Sequence, residues 1–466
     1  MNNDNIVQKI WNLCNILRGD GISYHEYISE LTYLLFLKIA KENQTEFLLP
    51  ENCRWQRLIE YDGEDILTEY RDMLTYLGGH ASNEIVRKIY AFPTTVFSHS
   101  ENLRAVIEGI AKIDWHSINL DGMGDIYEGL LAKNSQDARS GAGQYFTPRA
   151  LVDCIVRIVK PKLGEVIQDP ATGSGGFLIS ADHYVRNNNS LDSYKKDPPK
   201  YEGVEIEKGT YRICLMNAFL HQLDSNLVLG DALTTDAGML LQADVILANP
   251  PFGTKASSAR KGREDITYVT TNKQLAFLQH IYLGLKKFGR AAVVIPDNVL
   301  FEDGTGKRIR QELMDKCNLH TILRLPTGIF YSQGVKTNVL FFTRGESDKN
   351  NTKSVWIYDM RTNAIKFGKK RVLTPADFIE FENLYGIDPN GLSKRNDSVA
   401  SGRWKYFDRQ SIVDRNDNLD IFWLPSIEET TIENLSEPDE IAAAILEHLR
   451  NAFGEIKEIT EMFESI

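Results

Sequence analysis

Glu165-Val166-Ile167-Gln168-Asp169-Pro170-Ala171-Thr172-Gly173-Ser174-Gly175-Gly176-Phe177 decides the fold of this chain. It reads as a short apolar strand, a glycine-rich turn and the start of a helix. Glycines let the backbone approach a ligand where a side chain would collide, and a helix start offers free amide donors. The spacing selects among ligands. A dinucleotide fingerprint places a third glycine three residues after the second. Counted from Gly173 and Gly175 that position is Leu178, which disfavours a nicotinamide cofactor. No Lys-Ser or Lys-Thr follows, so a phosphate-binding loop for ATP is excluded.

Some 70 residues later Ala243-Asp244-Val245-Ile246-Leu247-Ala248 runs into Asn249-Pro250-Pro251-Phe252. A strand that ends on two prolines has a frozen backbone, and its last carbonyls lack ladder partners. The Asn249 amide oxygen and the Pro250 carbonyl can then converge on one amino group, while Phe252 offers a flat face for a planar ring. Methylation of an exocyclic amine requires this arrangement. The nitrogen lone pair is delocalised into the ring, and two acceptors on its hydrogens draw it towards a tetrahedral, nucleophilic form. A cytosine ring-carbon methyltransferase would need a cysteine nucleophile, usually after proline, and none of the five cysteines follows one.

Three further pieces fall in order around these. Gly143-Gln144-Tyr145-Phe146-Thr147-Pro148-Arg149 precedes the glycine turn and begins a helix, with Thr147 expected as its cap and Pro148 in its first turn. Tyr201–Ile206 reads as the second strand, with Glu205 placed to accept from both hydroxyls of a ribose. Leu227–Ala232 reads as the third, with Asp231 placed to accept from an adenine amino group. Taken singly each acid is an ordinary solvated carboxylate; as an ordered set at successive strand ends they favour a site.

With these motifs the chain resembles the modification subunits of type I restriction-modification systems, gamma-class N6-adenine DNA methyltransferases. The resemblance extends through Gly289–Phe301, Leu325–Phe330 and Gly334–Phe342 and covers most of residues 5 to 425. It implies an α/β fold, a Rossmann-like doubly wound S-adenosylmethionine-dependent methyltransferase sheet, with an N-terminal all-α domain and a C-terminal helical tail. It implies that Gln144, Tyr145, Phe146, Thr147, Pro148, Arg149, Asp169, Thr172, Gly173, Ser174, Glu205 and Asp231 hold S-adenosylmethionine, while Asn249, Pro250, Pro251 and Phe252 catalyse transfer to a flipped-out adenine. The implied partners are double-stranded DNA, a specificity subunit that chooses the sequence, a second modification subunit and, in the full complex, a restriction subunit. The alternative is a protein-glutamine or ribosomal-RNA amino-methyltransferase, which shares Asn-Pro-Pro-aromatic, usually with Tyr and without the leading Gln-Tyr-Phe-Thr-Pro-Arg. A non-catalytic scaffold is disfavoured by the intact tetrapeptide.

The expected domains are 1–135 (helical), 136–425 (catalytic) and 426–466 (an acidic helix for subunit interaction). In the first, Tyr27, Leu31, Leu34, Leu35 and Ile39 recur at helical spacing and read as core. A polar link spans Ala132 to Gly143. Strands are expected near 165–169, 201–206, 227–231, 243–249, 289–295, 320–325 and 338–343, the last an antiparallel insertion. At 466 residues and 42% apolar the chain exceeds one ordinary domain and can build a core.

The net charge of −11 is awkward for a protein whose DNA affinity must come largely from phosphate contacts. Most of the excess is local, because residues 428–466 carry eleven acids against Arg450 and Lys457. A basic loop, Lys255, Arg260, Lys261 and Arg263, follows Phe252 directly, either as a DNA contact or as a solvated segment. In the tail, Ser436 and Asp439 mark a helix start, and Ile441, Ile445, Leu449, Phe453, Ile456 and Phe463 keep an apolar stripe over roughly 40 Å. Such a stripe at a chain end needs a partner surface, and the resemblance assigns it to the specificity subunit. Pro438-Asp439 with Glu455-Ile456-Lys457 matches a nuclease pattern, but helix-forming residues lie between them, which disfavours it. Unpaired cysteine spacing and the lack of a signal-like start point to a cytoplasmic setting. The scattered histidines suggest no metal site, and Leu31 to Ala40 is too short and too polar to cross a membrane.

Overall fold

The computed structural model describes residues 3–18, 24–61, 63, 65–113, 115, 147–253, 263, 265–330, 335–364, 367–368, 371–397 and 401–424. These divide into two compact units, each described by itself. One joins the N-terminal helices with Gly173–Gly175 and Glu207–Leu227; the other holds the remaining described residues.

The first unit carries helices Asn3–Arg18, Tyr24–Glu42, Trp55–Glu60, Ile66–His80, Glu84–Ile89 and Ser100–Ala111, with Lys208–Leu220 joined to them. Side-chain caps start three of these described helices, Glu207 among the capping residues. Asp65 accepts from the Thr68 amide at 3.0 Å and Asn83 from the Ile85 amide at 2.8 Å, each satisfying a donor the helix itself cannot. The last N-terminal helix buries Leu103, Val106, Ile107 and Ile110, one face at helical spacing. The expected stripe in the second helix is wider than a stripe, since every residue from Leu31 to Ala40 is buried. Helices pack on it from several directions, and the Phe36 and Phe219 rings meet at 5.2 Å. Even Glu30 is buried there, where it accepts from the Tyr70 hydroxyl at 2.7 Å and the Val96 amide at 2.9 Å.

The α/β part is a nine-stranded sheet. Its strands are β1 (Val166–Asp169), β2 (Lys200–Glu205), β3 (Ser225–Leu229), β4 (Ala243–Ala248), β5 (Leu285–Pro296), β6 (Cys317–Arg324), β7 (Thr337–Arg344), β8 (Ser354–Asp359) and β9 (Trp404–Asp408). The order is β3-β2-β1-β4-β5-β7-β6-β8-β9. β1 pairs parallel with β2 and β4, β4 pairs parallel with β5, and β7 lies antiparallel between β5 and β6. The crossover helices explain the unbroken apolar run in β4, because a strand covered on both faces has no reason to alternate. Leu278 and Ile281 of the helix Lys273–Gly284, with Ile309 and Leu313 of Thr305–Lys316, share one buried cluster with Ile246 and Val293 of the sheet.

All seven expected strands form, with three differences. β5 begins at Leu285 because Phe288 takes φ +63° and the register to β4 shifts there, so the strand runs through an irregularity. β3 ends at Leu229, leaving Asp231 in the following turn. β8 and β9, which were not anticipated, extend the sheet beyond β6. Among the described residues no helix is long and apolar enough to cross a membrane, and no His, Cys, Asp and Glu cluster suits a metal. Cys53, Cys154, Cys214 and Cys317 are buried thiols outside any disulfide. The polar link, the basic residues 255–261 and the entire tail lie outside the described residues.

Candidate active site

Parallel pairing brings the carboxyl ends of β1, β2 and β4 to one edge of the sheet. Gln168 stands opposite Ile246, so Asp169 and Asn249 emerge from neighbouring strands, and Asp169 stands opposite Gly203, two residues before Glu205. Ligands of open α/β sheets bind outside such strand ends.

The turn after β1 is tied to this edge. The Thr172 amide donates to the Val204 carbonyl at 3.0 Å, and the Thr172 hydroxyl lies 3.0 Å from the carbonyls of both Asp169 and Val204. Thr172 therefore shapes the turn. Gly173 and Gly175 follow with φ +58° and +88°, a backbone region that other residues rarely occupy. Within the first unit the Ser174 carbonyl accepts from Asn217 Nδ2 at 2.8 Å.

Asp169 and Glu205 are both buried. Burial lifts the Asp169 carboxyl to about 8, opposed by the Ala171 N–H that it accepts at 3.0 Å and assisted by the charge of Glu205. Two carboxyl groups at the ends of adjacent strands, one of them held protonated by burial until a cation neutralises it, suit a ligand carrying a positive charge and a diol, which is the chemistry of S-adenosylmethionine. Glu207, two residues beyond Glu205, instead caps the next helix, accepting from the Gly209 amide at 2.9 Å. Asp231 spends one oxygen on the Leu233 amide at 2.9 Å within its own turn.

The Asn-Pro-Pro-Phe tetrapeptide stands at the end of β4. Asn249 is half-buried with its amide oxygen buried, Pro250 is buried, Pro251 exposed and Phe252 half-buried. Asn249 Nδ2 donates to Thr147 Oγ1 at 2.9 Å. This corrects the expected role of Thr147. The helix it precedes starts at Arg149, and Pro148 occupies the cap position without a side-chain bond. A proline there leaves the helix amides to water and its own carbonyl, while the threonine hydroxyl turns to Asn249. Arg149 pairs with Asp153 at 3.2 Å on the first turn. Gln144, Tyr145 and Phe146 lie outside the described residues. Arg263, the one residue of the basic loop's four cations among the described residues, is bound to Asp265 at 2.7 Å and contacts His280.

Sequence reasoning missed a polar cluster on the same edge. Asp297, just past β5, takes two bonds from Arg361 at 2.7 and 2.9 Å and one from Asn338 Nδ2 at 2.8 Å. Arg361 also donates to the carbonyls of Leu325 and Thr337. One guanidinium thus joins segments following β5, β6 and β8 to the start of β7. Asp297 lay within a motif quoted above, but its partners are 41 and 64 residues away and no spacing announces them.

Comparison with known proteins agrees with this architecture. The N-6 DNA Methylase family model matches residues 119–423, and the HsdM N-terminal domain model matches 6–110. The chain is 43% identical to the type I restriction enzyme StySPI methylase subunit of Salmonella potsdam and 42% identical to the EcoKI methylase subunit of Escherichia coli (strain K12). Each match covers 98% of this chain and 94% of the relative. The crystal structure of the EcoKI M protein aligns with a TM-score of 0.58 at 38% identity, over 98% of this chain and 96% of that one.

Proposed function

The chain belongs to the N-6 DNA methylase family, as a type I restriction enzyme methylase subunit, and on that premise we propose a role for each residue of its site. The enzyme is an S-adenosylmethionine-dependent, adenine-specific DNA methyltransferase. The alternative, a protein-glutamine or ribosomal-RNA enzyme, has no support from these relatives.

When bound, the cofactor supplies a methyl group activated on a sulfonium. The glycine turn from Thr172 to Ser174 gives it close backbone approach, Glu205 accepts from its ribose, and Asp169 places its carboxyl group at the strand end beside it. Asp231 lines the adenine end, and residues of the motif Gln144 to Arg149 contribute to holding the cofactor. The target adenine must leave the duplex to reach the pocket. Phe252 stacks on it, while the Asn249 amide oxygen and the Pro250 carbonyl accept from its amino group. Positioning and electrostatics then carry the rate, and no covalent intermediate on the protein is needed.

The observation that carries this reading is the adjacency of Asp169 and Asn249 at the ends of paired parallel strands. Sequence choice belongs to a specificity subunit, on whose helices the acidic tail docks. A second modification subunit and a restriction subunit complete the assembly, in the cytoplasm. The domain limits proposed are 1–135, 136–425 and 426–466. Nucleoside mass spectrometry of DNA methylated by the assembled enzyme should find N6-methyladenine; N4-methylcytosine alone would overturn the substrate assignment.

A further inference from the structure

Thr147 and Asn249 approach each other from two rigid backbones. Pro148 follows the threonine with φ −53° and ψ 133°, and its carbonyl accepts from the Leu151 and Val152 amides at 2.9 and 3.1 Å. The hydroxyl is therefore carried by a proline-fixed turn locked to the first turn of a helix. Asn249 leaves a buried strand and enters two prolines. The 2.9 Å bond from Asn249 Nδ2 to Thr147 Oγ1 links positions 102 residues apart.

The orientation of this amide matters to the chemistry. An asparagine that presents its oxygen accepts from an exocyclic amine; turned by half a rotation it presents NH2, and two donors face each other. Nothing in the amide's shape distinguishes the two, so its hydrogen-bond partners must. With Nδ2 engaged by Thr147, the oxygen is the end turned away from the threonine.

We propose that Thr147 is a positioning residue for methyl transfer, accepting from Asn249 Nδ2 so that the amide oxygen is held towards the target amine. This rests on the reading of Asn249 as the acceptor.

The test compares Thr147→Val, which keeps the side-chain shape and removes the hydroxyl, with Thr147→Ser, which keeps the hydroxyl. The full chain assembled with its specificity subunit is given tritiated S-adenosylmethionine and DNA from a strain lacking adenine methylation. The valine variant should transfer methyl about 10- to 100-fold more slowly at saturating cofactor, the range for a misplaced reacting group. Its calorimetric Kd for S-adenosylmethionine should stay close to wild type, and the serine variant should restore most of the rate. Wild-type transfer by Thr147→Val, with Asn249→Ala inactive, overturns the inference alone. A loss explained by weaker cofactor binding, or serine failing to rescue, also overturns it and makes Thr147 a lining or packing residue. Active Asn249→Ala would instead sink the underlying reading of the tetrapeptide.

Discussion

Replacing Glu205 by Ala tests the cofactor half of the site. Glu205 closes β2, is 8% exposed, and its backbone carbonyl is tied to the Gly230 amide at 3.0 Å, so the carboxylate has a fixed origin in a water-poor edge. Hydrogen bonds to a charged group contribute about 1.5–3 kcal/mol. At about 1.4 kcal/mol per decade this loss weakens S-adenosylmethionine binding by about 10- to 150-fold. Titration calorimetry with both S-adenosylmethionine and S-adenosylhomocysteine separates two causes. A carboxylate acting on the ribose costs both ligands alike, whereas one acting through the sulfonium charge costs only the former. Glu207 is no substitute, since its carboxylate is engaged in capping a helix. An unchanged Kd for both ligands would refute the ribose assignment.

Asp169 gives a pH dependence. Its carboxyl titrates near 8 in the folded chain against an ordinary 3.8, so the native state holds the extra proton between those values and the cofactor-free chain loses stability as pH rises across that window. Thermal unfolding of Asp169→Asn should show a shallower decline, and an identical slope would remove Asp169 as its source. Arg361→Met leaves the half-buried Asp297 without its cation and should cost about 1.5–3 kcal/mol, the range for hydrogen bonds to a charged group. Urea unfolding should recover part of that in the Arg361→Met, Asp297→Asn double variant, and a single-variant loss below about 1 kcal/mol would show the cluster to be peripheral. Truncation after Ser436 should leave cofactor affinity intact and reduce co-purification with the specificity subunit. Assembly and site-specific methylation at the wild-type rate would make the tail a solubilising appendage.

The apolar runs of β1, β4, β6 and β7 were legible because strands covered on both faces cannot hide their composition. The glycine turn and the tetrapeptide were legible because backbone freedom and backbone rigidity each demand a residue type. β9 was not: in Trp404–Asp408 only Trp404 is buried, so the strand lacks a continuous apolar signal. β8 buries Val355 and Ile357 but carries Trp356 and Tyr358 into aromatic contacts with Trp404, a pairing between distant segments. The role of Thr147 escaped for a related reason. A threonine before Pro-Arg has the local grammar of a cap, and only the tertiary approach of Asn249 redirects its hydroxyl. Nothing local in the sequence separates a capping glutamate such as Glu207 from a binding one such as Glu205.

Asn249→Ala tests the central claim most directly. S-adenosylmethionine binding, measured by calorimetry, should persist, because the amide belongs to the target side of the site. Tritiated methyl transfer to DNA by the assembled enzyme should be abolished. Transfer retained within about tenfold of wild type, less than about 1.4 kcal/mol of transition-state stabilisation, would contradict the assignment of Asn249 as the acceptor that activates the adenine amine.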